Sequence, residues 1–470
     1  MRVVIALFIS LIVCHCTIVA AGPQDTQSKD NDKVPVIQLT LRPAAEPQPS
    51  LKYRLLPPVW EQTAGNAALL YDPAVAAVRE KDNAELRERI DEFLQKPLNE
   101  LPRREILNLS DQFSNELSYV ELAGRRQRCD WEPPVSMGYQ MLLPELSQLR
   151  TLGKIVALKA RLEISEGKYD EAIHTLQTGF ALARHIAEGP TVIEALVSAG
   201  ITQVMLLDQV KELIQAPDAP NLYWALTALP RPFIDIHRCM EFEISLSWVA
   251  GEIGDLKKSH CSPEEAQGFL EKMIEMGFQL GPGNQELKNK LFVTGLVVKT
   301  YPAAKRHLIE QGRSAAEVNA MSVAQVVLIY YWDTSQPLRD QIVRWFYVPY
   351  WQAREGLFRA GAALSDQSSA DNPFLRLLPV GSKLYLATTK IDRTIAAFRC
   401  IEALRLYAAN HDGGLPTSLN EIKDVPIPID PTTGHAFEYK LEGGRGILES
   451  ASPTGFPPKD GIRYELILAK

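Results

Sequence analysis

Between Ala67 and Leu364 the apolar residues recur at intervals of three and four, and that spacing constrains the fold more than any other feature of the sequence. In "DNAELRERIDEFLQKPL" Leu86, Ile90 and Leu94 stand at four-residue steps, and in "LPELSQLRTLGKIVALKARLEI" Leu146, Leu149, Leu152 and Val156 follow one another along one face. At about 3.6 residues per turn such positions line one side of a helix, and that side has to be buried against another element. Helix starts are marked as well. Ser262-Pro263-Glu264-Glu265 and Ser314-Ala315-Ala316-Glu317 each fit a capping box, in which the serine oxygen and the glutamate carboxylate satisfy amides left unpaired at the first turn. The fold class expected is mainly α.

The two ends read differently. "MRVVIALFISLIVCHCTIVAAG" has one basic residue, an apolar run from Val3 to Val13 and the small-residue ending Val19-Ala20-Ala21. It reads as a secretory signal peptide over 1–21, cleaved near Ala21, with an uncleaved anchor as the alternative. The mature protein is then expected in the periplasm or outside the cell. No later run of about 18 apolar residues follows, so no membrane span is expected in the mature chain. Residues 22–33, "GPQDTQSKDNDK", lack large apolar side chains and are expected to form a disordered tether.

In the segment 34–66, Ile37, Leu39 and Leu41 alternate with Gln38 and Thr40, and Leu51, Tyr53 and Leu55 alternate with Lys52 and Arg54. Two short strands around the Pro-rich "AAEPQP" predict an N-terminal β-hairpin or an edge addition to a larger sheet. Residues 67–370 are expected to form a helical-hairpin domain, and 371–470 a small C-terminal α+β module. In that module a helix from about Leu384 to Asn410 stops at "NHDGGLP", and alternation at Phe437, Tyr439 and Leu441 and again at Ile462, Tyr464 and Leu466 brackets a "GGRG" turn.

With 57 acidic and 50 basic residues the chain is net acidic, which excludes a general nucleic-acid binder, and the arginine cluster Arg125, Arg126 and Arg128 is local. No His-Glu-x-x-His, Gly-x-Ser-x-Gly, phosphate-binding loop or dinucleotide fingerprint occurs, and no catalytic residue, cofactor or metal ligand is assigned. Export affects how cysteine is read. Cys14 and Cys16 leave with the signal, and Cys129, Cys239, Cys261 and Cys400 remain as candidate disulfide cysteines, with three pairings open.

Several clusters carry a functional and a structural reading side by side. "GRRQRCDWEPP", Gly124 to Pro134, holds either a reactive thiol, half of a disulfide or a turn anchored by Trp131, and the thiol reading lacks a base because no histidine lies between His15 and His174. Asp235, His237 and Cys239 would share a face if extended and bind a metal or form a thiol-imidazole pair; a helix, the preferred reading, separates them. His260 and Cys261 read as a loop in which Cys261 would pair with Cys239. Glu241 and Glu243 would point to different sides of a helix. Tyr330, Tyr331, Trp332, Trp345, Tyr347 and Trp351 form a candidate ligand platform with Arg344 and Arg354, against the expected alternative of seam packing between helices. Asp430-Pro431-Thr432-Thr433-Gly434 reads as a structural turn rather than a calcium loop.

Three resemblances add to this. Ala160, Gly167, Tyr169 and Ala172 in "ALKARLEISEGKYDEAIHTLQTGFALARHIAEGP" resemble one tetratricopeptide repeat over about 156–187, although Glu163 replaces the family's aromatic. No second repeat aligns, so the resemblance implies an irregular helical-hairpin, tetratricopeptide-like stack. Gly414-Leu415-Pro416, Asp430-Pro431, Gly434 and Tyr439 resemble the globular module of type II secretion pseudopilins over about 384–468. The segments "LKYRLLPPVWEQTAGNAALLYDPA", "CDWEPP", "EGPTVIEALV", "APNLYWALTALPRPFID" and "FRCIEALRLYAANHDGGLP" are similar to an uncharacterised exported protein family of planctomycete bacteria. The function expected is an exported helical scaffold or interaction protein of the cell envelope with a protein or peptide partner, provided the 156–187 hairpin leaves a concave face exposed. The alternative is an envelope hydrolase or a glycan- or peptide-binding protein using the aromatic segment 330–351.

Overall fold

The structure, a computed structural model, describes residues 33–133, 143, 145–245, 253–254, 257, 261–278, 286–368, 372–378 and 381–469. The signal-peptide reading and all but the last residue of the tether lie outside the described residues, as does His260. The fold is mainly α, and the chain groups into two compact units. Among the described residues, the first comprises those in 33–132, 143–235 and from 386 onward, and the second comprises 133 and those in 236–385. This division differs from the linear one expected at 66/67 and 370/371, because the N-terminal strand and the C-terminal module fold together.

In the first unit, β1 (Val36–Leu41) lies parallel to β6 (Ile462–Leu468), with Leu39 opposite Leu466, and β5 (Arg445–Ser450) and β4 (Glu438–Glu442) complete a sheet of order β1-β6-β5-β4. Of the two arrangements open to the N-terminal alternation, the edge addition is the one formed. Leu51–Leu55 is not a strand, since Pro49, Pro57 and Pro58 flank it and remove ladder donors from both ends. A second, two-stranded pairing joins β2 (Thr63–Asn66) to β3 (Arg126–Arg128). The C-terminal hairpin of β4 (Glu438–Glu442) and β5 (Arg445–Ser450) turns through Gly443 and Gly444, both at positive φ (57° and 79°), the conformation a two-residue hairpin turn of this hand requires.

The helices of the first unit are α1 (Ala68–Lys81), α2 (Ala84–Gln95), α3 (Arg103–Gln112), α4 (Ser114–Gly124), α5 (Glu145–Ser165), α6 (Tyr169–Ala187), α7 (Val192–Gln203), α8 (Lys211–Gln215) and α9 (Tyr223–Thr227). The predicted hairpin is present: α5 and α6 pack together across a turn at Gly167, where φ is +72°. Small residues let neighbours approach closely, since a Cβ on Gly179 would lie 2.5 Å from the Met205 sulfur. The hairpin does not, however, present a concave exposed face. Ala157, Ala160, Ala172, Leu176 and Ala183 are fully buried, and α1, α2, α3, α4 and α7 pack around the pair.

Among the described residues one helix, Val192–Gln215, is long and apolar enough by length and composition to cross a membrane, but 56% of its most apolar window is buried inside the protein. A capping box between Thr191 and Glu194 starts it, and Ser198 and Thr202 are buried along it. It is a core helix.

The long helix α17 (Ser382–Asn410) runs to within a residue or two of its predicted ends, and Gly413, at φ +78°, closes it by donating its amide to Ala408 O at 2.9 Å. Arg405 is fully buried on it and donates to both Glu402 oxygens (2.8 and 3.0 Å), to Ala219 O (3.0 Å) and to Arg42 O (3.0 Å). A buried guanidinium needs this degree of satisfaction, and here it fastens the exit of β1 and the loop before α9 to the same helix.

The second unit holds α10 (His237–Ser245), α11 (Pro263–Gly277), α12 (Glu286–Glu310), α13 (Ala315–Ala320), α14 (Val323–Val343), α15 (Tyr350–Ser368) and α16 (Pro373–Arg376). Both expected capping boxes are formed, Ser262 with Glu265 and Ser314 with Glu317. Its core gathers Leu270, Met273, Leu296, Val327, Tyr331 and Phe374 from α11, α12, α14 and α16.

Candidate functional site

The aromatic segment does not form one platform. Tyr331 and Trp332 are buried, Tyr331 in hydrogen-bond contact with Thr300 (2.8 Å) and Trp332 edge-on to Phe374 with the Arg339 guanidinium 4.5 Å from its ring. Tyr330 lies edge-on to His307. Trp345 packs over Gly356, and Tyr347 and Trp351 are exposed. Helical spacing explains the dispersal, because neighbouring residues diverge by about 100° around a helix.

The cysteines carry thiols, and among the described residues no disulfide joins Cys129, Cys239, Cys261 or Cys400. Burial pushes Cys400 up to about 12. Cys129 is raised further, by burial first and then by the Glu188 carboxylate, which accepts the Cys129 amide at 2.9 Å. The turn reading of "GRRQRCDWEPP" is the one the geometry matches. Trp131 stacks on Tyr71 at 5.5 Å and donates its indole N–H to His185 O at 2.7 Å, while Asn66 and Asp130 exchange two hydrogen bonds of 2.7 and 2.8 Å. Asp130-Trp131 follows strand β3, and the helix before it ends at Gly124.

His237 opens helix α10, so it and Cys239 point apart; the Cys239 thiol donates to Ile236 O at 3.2 Å and the His237 ring lies 5.0 Å from Tyr347. Asp235 is exposed ahead of that helix. Among the described residues no group of three or more His, Cys, Asp or Glu is placed to hold a metal ion. Asp430 is a turn: it accepts from Thr432 N (2.7 Å) and Oγ1 (2.8 Å) with one oxygen and from Ser450 Oγ (2.5 Å) with the other, while Gly434 takes φ +77°.

A polar cluster at α4 and α6 joins Glu121 to His174 (3.0 Å) and Arg125 to Glu61 (2.8 Å). Burial pushes Glu121 up, but His174 and then Arg125 outweigh it and hold the carboxyl below its usual range; burial raises Glu163 on α5. Two carboxyls displaced in opposite directions are the raw material of acid-base chemistry, yet neither lines the cleft described next.

That cleft lies between an N-terminal strap, Arg54 to Val59, the C-terminal end of α6 and the exit of α9. It encloses about 260 Å³ and is lined by Arg54, Leu55, Pro58, Arg184, Ala228 and Leu229 among others. The strap is held in place locally. Tyr53 Oη donates to Asp170 at 3.0 Å, Gln177 donates to Arg54 O at 2.9 Å, and Gln62 donates to Pro57 O at 3.0 Å. Pro57 and Pro58 fix an extended backbone that has no amide to offer. The Arg54 guanidinium lies 5.0 Å from the ring of Trp60, which is 74% exposed at the rim, and Arg54 Nε is buried without a hydrogen-bond partner. Among the described residues no Asp, Glu, His, Cys or Ser lines the cleft. Its chemistry is that of two guanidiniums and the Gln62 amide among otherwise apolar walls, suited to hold a carboxylate through charge-assisted hydrogen bonds. Nothing in the sequence motifs singles out Arg54, Trp60 or Arg184. Paired prolines between an arginine and a tryptophan were the local signal available, and Arg184 becomes a partner only through the fold.

Comparison of the chain with protein-family models, with curated proteins and with solved structures finds no match.

Proposed function

We propose that this chain is an exported, non-catalytic helical binding protein of the cell envelope, and that its first unit takes a carboxylate-bearing segment of a protein or peptide partner in the Arg54–Arg184 cleft rather than on the 156–187 hairpin, whose faces are enclosed by α1, α2, α3, α4 and α7. Export rests on the pattern of residues 1–21 and on the resemblance to exported planctomycete proteins. Binding rests chiefly on one observation: Arg54 and Arg184 both line a cleft into which no carboxylate of the described residues is brought, and Arg54 Nε has no acceptor within the protein. Leu55, Pro58 and Leu229 offer apolar contact to the residue beside the carboxylate. Among the described residues no nucleophile and no His, Cys, Asp or Glu lines the cleft, which favours binding over catalysis.

Calorimetric titration with short peptides that place a glutamate or a C-terminal carboxylate beside leucine tests the reading. Arg54→Gln and Arg184→Gln should each weaken such a peptide about tenfold, as expected for loss of a charge-assisted contact of roughly 1.5 kcal/mol. Equal affinity for the carboxylate peptide and its amide counterpart would remove the proposal. Amino-terminal sequencing of the secreted product should begin at Gly22.

A second reading, a hydrolase centred on the aromatic segment, is favoured by one convergence in the second unit. Asp333 accepts from Lys257 Nζ at 2.7 Å and stands 3.7 Å from His307 Nε2, next to the Tyr330 ring. Hydrolysis of a peptidoglycan or peptide substrate that Asp333→Asn abolishes would establish it.

A further inference from the structure

Helix α12 buries one face and leaves the opposite one apolar. Val293, Leu296, Val297, Ala304 and Leu308 enter the core of the second unit. With about 100° per residue, Leu291, Gly295, Val298, Pro302 and Ile309 fall within about 40° of a single line on the far side. Leu291 is 66% exposed, Val298 67% and Ile309 38%, so the stripe faces outward over about 27 Å of helix. A second apolar side on a helix whose first side already fills a core is not needed for folding, and a soluble surface ordinarily fills such positions with charge.

Charge identifies the occupant. Between its terminal residues Glu286 and Glu310 the helix has Lys288, Lys290, Lys299, Lys305 and Arg306 and no further Asp or Glu. Lys299 and Arg306 border the stripe on one side and Lys305 on the other, at positions set by the helical period. A second copy docking through the same stripe would bring these cations face to face. The stripe offers the exposed aliphatic side chains of Leu291, Val298 and Ile309, the kind of group that embeds among lipid headgroups.

We propose that the second unit docks on an anionic phospholipid surface through the Leu291–Ile309 stripe of α12, the aliphatic ridge entering the headgroup region and the flanking lysines and arginine meeting lipid phosphates. This is peripheral attachment and does not depend on the peptide-binding cleft.

Hydrogen exchange on the full chain tests it, because the readout is local to residues 291–309 and does not depend on where else the chain meets lipid. Phosphatidylglycerol vesicles should slow exchange there severalfold, while phosphatidylcholine vesicles should not. Val298→Glu, at a position that takes no part in the core, should abolish the slowing, and Lys305→Gln should weaken vesicle affinity about fivefold. Leu107→Glu, an exposed apolar position of the first unit, should leave it unchanged. Failure of phosphatidylglycerol to slow this segment would overturn the proposal, as would equal slowing by phosphatidylcholine. Slowing by concentrated protein alone would mark a contact between copies, and slowing by poly-glutamate but not vesicles would mark an acidic protein partner; either result also overturns it.

Discussion

His185 shows what burial does to a single side chain in this molecule. Burial first, and then the neighbouring Arg184 charge, lowers its pKa to about 4, and its Nδ1 stands 3.0 Å from Tyr71 Oη. A histidine depressed in the folded state is neutral there while the unfolded chain still takes up a proton near pH 6.5. Its contribution is therefore complete above pH 6.5 and is lost as pH falls toward 4, amounting to about 3 kcal/mol at most. Urea unfolding across that range should show this slope, and His185→Gln, which retains a hydrogen-bonding group toward Tyr71, should flatten it. The same enclosure governs the nearby thiol. All three thiols are raised, Cys261 by burial first and then by Glu265, but Cys129 and Cys400 are also enclosed, so iodoacetamide at pH 8 should modify the partly exposed Cys261 well before either, and mass spectrometry of the native protein reads the order directly. Labelling of Cys129 at the rate of a free thiol would contradict the packing described for it.

At the scale of elements, two glycines on one helix separate packing from propensity. A Cβ on Gly277, at the end of α11, would stand 2.7 Å from Pro373 O and 2.8 Å from Pro373 Cα, so α11 and α16 would have to part. Gly277→Ala should cost about 1–3 kcal/mol in thermal or urea unfolding. Gly268, in the middle of the same helix, has nothing within 4 Å, and Gly268→Ala should be neutral or stabilising by up to about 1 kcal/mol. This contrast also marks the limit of what the sequence discloses. The helical period, both capping boxes, the stop at Gly413 and the Gly443-Gly444 hairpin were legible because each is set by residues within a few positions of one another. The alternation at Leu51–Leu55 misled because the prolines around it mattered more than its period. The Arg54–Arg184 cleft was not legible, since the strap and the end of α6 meet only after the hairpin of α5 and α6 has been enclosed.

Across the whole molecule, the first unit is closed by its ends. Strand β6 is interior to its sheet, bonded to β1 on one side and to β5 on the other. Removing Ile462 to Lys470 would leave both neighbours with unpaired edges and take Tyr464 and Leu466 out of the core. Such a truncation should lose the near-ultraviolet circular dichroism of the first unit and open residues 36–132 to limited proteolysis. A truncated chain that kept native protection in 36–132 would show that the helices alone suffice.

The pairing of β1 with β6 also has a consequence in time. Gln38 and its partner Glu465 are 427 residues apart, so at about 5–20 residues per second the first strand waits roughly 20–90 s for its complement to be synthesised. Throughout that interval the sheet cannot close, and β1 stays open to chaperones until β6 has been made.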